Sequence, residues 1–75
     1  MARAIYEIAR DIRKNWKNVS PYARPYLDAM GELTVITDNY IYDSGKSVVL
    51  YFLSNASGFR GPEAKALKAE LKALL

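Results

Sequence analysis

Two glycines and a proline stand within five residues near the C-terminal end of this chain, in Ser57-Gly58-Phe59-Arg60-Gly61-Pro62-Glu63, and they separate two stretches of helical character. Before the break, Val48, Val49, Phe52, Leu53 and Ala56 fall at the spacing of one broad apolar helical face. After it, Ala64, Leu67, Leu71 and Leu74 form an apolar stripe, Lys65, Lys68 and Lys72 a charged one, and Ala66, Ala69 and Ala73 a small-residue one. Gly58 is expected to take the left-handed conformation that ends a helix, and Gly61-Pro62 to supply the N-cap and first turn of the next. The third stretch also fits a buried strand by composition, since Val, Tyr and Phe favour sheets, but its length and caps favour helix.

A helix-helix corner needs a core, and with 75 residues the chain is near the size where a single core only just suffices. It contains neither cysteine nor histidine, so disulfides and the usual zinc or haem ligands are excluded, and a stabilising self-association is expected instead. Ala66, Ala69 and Ala73 are the surface on which a homodimer would pack. The opening run Met1-Ala-Arg-Ala-Ile-Tyr-Glu7 mixes charges with apolar residues, and the longest strictly apolar run is Val48 to Leu53, so neither secretion nor membrane insertion is expected. A cytoplasmic protein is the expectation.

Towards the N-terminus, Ile5, Ile8, Ala9, Ile12 and Trp16 recur at intervals of three and four and predict a helix over Ala2 to Lys17, with Arg3, Glu7, Arg10, Lys14 and Lys17 as its charged face. Ser20-Pro21 signals a fresh start, and Pro25 places the regular part of the second helix near Pro25 to Met30, after a distorted turn, with Gly31 at its end. Residues 32–42 are ambiguous: Leu33-Thr-Val-Ile-Thr37 and Tyr40-Ile-Tyr42 would form a small hairpin about Thr37-Asp-Asn39, whereas the helical flanks favour a short helix or irregular linker. Asp43 is the expected cap of the third helix. The fold class is therefore all-α, one compact domain of about four short helices with a possible hairpin at 32–42, and α+β as the alternative.

Trp16, Pro25-Tyr-Leu27, Ala29-Met30, Asp38, Tyr40, Tyr51-Phe-Leu-Ser-Asn-Ala56, Arg60-Gly61 and Lys68-Ala-Glu-Leu71 together give the chain its most individual residues. In these it resembles a group of small uncharacterised proteins encoded by bacteriophages of actinobacteria. The resemblance spans almost the whole chain and is most specific from Tyr51 to Gly61, where Phe59 stands in place of the tryptophan often found there. It implies a small protein made in the cytoplasm of an infected bacterium, and it brings no catalytic residues with it.

Chemistry is poorly provided for in the residues themselves. Any acid or base would be one of eight carboxylates, a lysine or a tyrosine, and the nearest thing to a polar cluster, Asp38 and Asp43 beside Tyr40 and Tyr42, reads more simply as turn and cap chemistry. The chain is expected to have no catalytic role, cofactor or metal. Gly58-Phe-Arg-Gly61 matches the spacing of the phosphate-clamping loop of KH domains, but the sheet those domains require is missing from the pattern, so the glycines read as punctuation.

Two kinds of partner remain. Six tyrosines, two phenylalanines and a tryptophan are more aromatic surface than so small a domain buries whole. Tyrosine with arginine is the composition of protein-recognition surfaces, which selects Tyr22, Arg24, Tyr40, Tyr42 and Arg60 as contacts to a host protein. Tyr6, Tyr26 and Tyr51 are expected to edge the core. The alternative is nucleic acid, met by Arg3, Arg10, Lys14 and Lys17 of the first helix and Lys65, Lys68 and Lys72 of the last, in keeping with a net charge of +3. Against it, the last helix offers alanine and leucine where a base-reading helix carries arginine, asparagine or glutamine.

Overall fold

Apolar residues at helical spacing produce four helices, α1 (Ile5–Asn15), α2 (Arg24–Met30), α3 (Gly45–Ser54) and α4 (Pro62–Leu74), in a computed structural model that describes residues 2–75. Between α2 and α3 lies a two-stranded antiparallel ladder, β1 (Asn39–Tyr40) and β2 (Asp43–Ser44), with Asn39 opposite Ser44 and Tyr40 opposite Asp43. The result is a compact domain of four short helices carrying one small hairpin.

The predicted stripes are the ones buried. Ile5, Ile8, Ala9, Ile12 and Trp16 of the first segment meet Leu27, Met30 and Leu33, then Val48, Val49 and Phe52, then Ala64, Leu67 and Leu71, in one hydrophobic cluster. α1 packs on α4 and α2 on α3, with α1 also touching α2. Arg3, just before α1, bonds Glu70 near the end of α4, while Trp16, just after α1, stacks on Phe59 just before α4, so the two helices run antiparallel. Burial of such side chains, at roughly 1.5–3 kcal/mol each for a large aliphatic or aromatic group, is the main source of stability.

The loop after α2 closes the ends of two helices at once. Helix N-termini leave amides without partners. Here the Ile5 and Tyr6 amides donate to the carbonyls of Thr34 and Leu33, each at 2.9 Å. Four residues later the same loop serves α3, where the Gly45 and Lys46 amides donate to the carbonyls of Asp38 (2.6 Å) and Ile36 (3.0 Å). The Ser44 hydroxyl accepts from the Ser47 amide at 3.1 Å and completes the cap. Gly45 is buried in this contact: a Cβ there would stand 2.9 Å from the Val35 carbonyl oxygen, 3.0 Å from that of Ile36 and 3.1 Å from that of Asp38.

Several boundaries differ from those read in the sequence. α1 begins at Ile5 rather than Ala2 because Ala4 is extended (φ −63°, ψ 147°) and directs the chain onto the loop carbonyls. α2 follows the expectation closely, with Pro25 in its first turn, the Ser20 hydroxyl accepting from the Tyr22 amide, and Gly31 at its end. Leu33 to Thr37 is neither strand nor helix but the capping loop, and the hairpin is displaced to 39–44. The displacement moves the cap of α3 from Asp43, which is paired with Tyr40, to Ser44. Gly58 is not left-handed; it lies beside Trp16, while α3 is capped at Asn55 and only Gly61 among the glycines has a positive φ, of 110°.

Candidate functional site

The short ladder leaves Ile41 and Tyr42 as a two-residue loop between Tyr40 and Asp43. Ile41 has a φ of 57°, and it is the one non-glycine residue in the left-handed region among those described. That conformation crowds a β-branched side chain, and glycine normally fills the first position of a hairpin turn of this kind. The tip nonetheless turns its apolar groups outward: Ile41 is 75% and Tyr42 99% exposed. Tyr40 roots it, its half-buried ring packing against the core.

The base of the hairpin is fixed from below. One carboxylate oxygen of Asp38 accepts the amides of Thr34 (2.9 Å) and Val35 (3.1 Å), and these two bonds hold its carboxyl below the usual aspartate range. The Asp38 carbonyl meanwhile takes the Gly45 amide. An unfavourable backbone conformation therefore sits on a support that leaves it little room to relax, the situation in which strain persists at working surfaces.

Of the other residues singled out for protein recognition, Tyr22 is 76% exposed on the turn before α2, Arg24 is exposed at the first position of α2, and Arg60 is exposed at the corner. They lie on separate elements and line separate grooves, Arg24 with Arg13 and Asp28, Arg60 with Lys65 and Lys68. Tyr40 gives most of its ring to packing, so the tip's exposed aromatic is Tyr42 alone. Ile41 is not marked in the sequence, because an isoleucine between tyrosines reads as strand and the two-residue loop carries no glycine or asparagine. Tyr6 and Tyr51, expected to edge the core, are about half exposed, although the Tyr51 ring meets that of Tyr26 at 5.5 Å.

The corner forms a second surface, a groove of about 630 Å³ lined by Phe59, Arg60, Gly61, Pro62, Lys65 and Lys68. Its floor is the aromatic joint of the fold: Phe59 stacks on Trp16 with ring centres 5.1 Å apart, and Trp16 meets Phe52 edge-on at 6.2 Å. The Lys68 ammonium lies over the Phe59 ring, 5.8 Å from its centre. Partial burial, and then repulsion by Lys72 and Arg60, lowers the Lys68 pKa.

Arg3 has a different role from the other cations. Its Nε and Nη2 donate to the two carboxylate oxygens of Glu70 at 2.7 Å, and its Nη1 donates to Asp11 at 2.6 Å. These bonds raise the arginine pKa and lower those of both carboxyls, Glu70 and Asp11. The cluster ties the start of α1 to the end of α4, while Arg10 and Lys14 on α1, Lys17 just after it, and Lys65 and Lys72 on α4 are exposed. By helical phase, Glu63 and Glu70 flank the buried face of α4 on one side and the three lysines on the other. Ala66, Ala69 and Ala73 are exposed between these flanks.

Among the described residues no group of three histidine, cysteine, aspartate or glutamate side chains could hold a metal ion, and no helix is long and apolar enough to cross a membrane. No protein-family model, characterised protein or solved structure matches the chain.

Proposed function

We propose that this chain is a small non-enzymatic phage accessory protein that binds a host protein in the bacterial cytoplasm, with the hairpin tip as its principal contact. The phage setting and the cytoplasmic location follow from the resemblance drawn from the sequence. The observation that supports binding is the tip itself: an isoleucine held at positive φ beside a tyrosine with almost its whole side chain in solvent. Neither residue adds much to the core, and apolar and tyrosine side chains of this kind are what binding surfaces bury. The non-enzymatic reading is supported by the carboxylates whose pKa is perturbed, Asp11, Asp38 and Glu70, all of which are lowered by structural hydrogen bonds and so held as anions.

The test is affinity purification from an actinobacterial host with the tagged wild-type chain beside Tyr42→Ala and Ile41→Gly. A host protein retained in stoichiometric amount by the wild type and lost by both variants is expected. Ile41→Gly removes a left-handed β-branched residue, a conformation that costs about 1–2 kcal/mol, so its melting midpoint should stay level or rise while binding disappears. Retention of the same protein by both variants would remove the tip from the interface. Nucleic-acid binding is the alternative proposal, resting on Arg10, Lys14, Lys17, Lys65, Lys68 and Lys72; it is weakened because Arg3 is engaged by Asp11 and Glu70. A gel shift that fades steeply with salt would favour it.

A further inference from the structure

The corner groove lies apart from the hairpin tip in the fold and has a chemistry of its own. Three cations, Arg60, Lys65 and Lys68, converge on it, and among the described residues none has a carboxylate within salt-bridge distance. Arg60 is oriented as well as charged: its Nε donates to the Ser57 carbonyl at 3.1 Å, which leaves the outer guanidinium nitrogens for a ligand. Pro62, exposed beside the buried Phe59, supplies an apolar wall next to the charges. We infer that this groove receives an acidic segment of a partner protein, with carboxylates on Arg60 and Lys65 and an apolar side chain against Pro62.

The geometry favours such a segment over nucleic acid. Single strands bind by stacking bases on exposed aromatic faces, and Phe59 is buried, 3% exposed, stacked on Trp16 and with Lys68 over its ring. A duplex would find on α4 none of the arginine, asparagine or glutamine side chains that read base edges. A carboxylate in the groove relieves the mutual repulsion that already acts on Lys68 from Lys72 and Arg60. The inference deepens the proposed function by giving the partner a chemistry, and it rests on the reading that the chain binds a protein.

The experiment uses the full chain, isotope-labelled, titrated at low and at physiological salt with a short peptide of alternating glutamate and leucine. Its glutamine counterpart, single-stranded DNA and duplex DNA are run in parallel. The glutamate peptide should shift amide resonances from Arg60 to Lys68 in heteronuclear NMR. Arg60→Gln and Lys65→Glu, both at exposed side chains, should each weaken it by about tenfold or more, the size of one lost charge-assisted contact, while Lys46→Gln leaves it unchanged. Equal binding of the glutamine peptide, shifts centred on Arg10 to Lys17, or binding of DNA in preference to the peptide would each overturn the inference. If a host protein is captured and then lost with Tyr42→Ala but kept with Lys65→Glu, tip binding stands and the acidic segment is rejected.

Discussion

Replacing Gly45 by alanine should damage this fold more than any other glycine substitution. The new Cβ would lie 2.9–3.1 Å from three backbone carbonyl oxygens, those of Val35, Ile36 and Asp38, and no flexible side chain is there to move aside. The loop must retreat. In doing so it gives up two bonds to the start of α3, from the Gly45 amide to Asp38 and from the Lys46 amide to Ile36. Each is worth about 0.5–1.5 kcal/mol net, and forcing a methyl into a packed contact typically adds about 1–3 kcal/mol. Against this, alanine lowers the entropy of the unfolded chain by about 0.4–1 kcal/mol. The expected net loss is about 2–4 kcal/mol, a fall in melting midpoint of roughly 10 °C or more for a domain of this size. Urea unfolding followed by circular dichroism measures it, with two other glycines as controls. Gly58→Ala meets only Trp16 Cζ2, at the ordinary contact distance of 3.9 Å, and should be near neutral. Gly61→Ala has open space but a φ of 110°, so it should lose about 1–3 kcal/mol through backbone strain alone. If Gly45→Ala unfolds at the same urea concentration as wild type, the loop does not hold α3 by these carbonyls and the argument fails.

Phe59→Ala should cost about 3–5 kcal/mol, because it empties the joint between Trp16 and Lys68, whereas Arg60→Ala should barely move the urea midpoint. Acid should destabilise the fold: Asp11, Asp38 and Glu70 have folded pKa values below their unfolded ones, so their contribution is complete above the ordinary carboxylate range, near pH 4, and is lost as pH falls through the lowered values. Thermal melts from pH 7 to pH 2 should show this, with a shallower decline in Glu70→Gln; a flat profile through the acid range would contradict the ion-pair assignment.

What could be read in the sequence was what repeats within one helix. Ile5, Ile8, Ala9, Ile12 and Trp16 announce a buried face by spacing alone, and Ala64, Leu67 and Leu71 do the same, because a helix carries its own periodicity. An aromatic between Gly58 and Gly61 in a chain with so little core is expected to fold inward, between the last two helices or against Trp16, and Phe59 does so, 3% exposed and stacked on Trp16. The middle of the chain was not legible in this way. Gly45 is required by carbonyls seven to ten residues earlier, a constraint that local propensity does not express. The hairpin was misplaced because its turn contains Ile41 and Tyr42 instead of glycine or asparagine, so the residues that usually mark a two-residue loop were missing where the loop occurs. Gly61 caps α4 as its place before Pro62 suggests, but the positive φ expected at Gly58 falls at Gly61 instead, while Gly58 passes beside Trp16.

The stretch from Leu33 to Asp38 is irregular, and irregular surface segments generally tolerate changes of length. This one should not. Its first two carbonyls are matched to Ile5 and Tyr6 at one end and its later ones to Gly45 and Lys46 at the other. Adding or deleting a residue shifts the register of oxygens against one helix or the other, so the segment acts as a gauge that fixes the distance between the beginnings of α1 and α3. An inserted residue should be tolerated better at the exposed end of the hairpin than here, so the part of the molecule with the least regular backbone is a part whose residue count is tightly constrained.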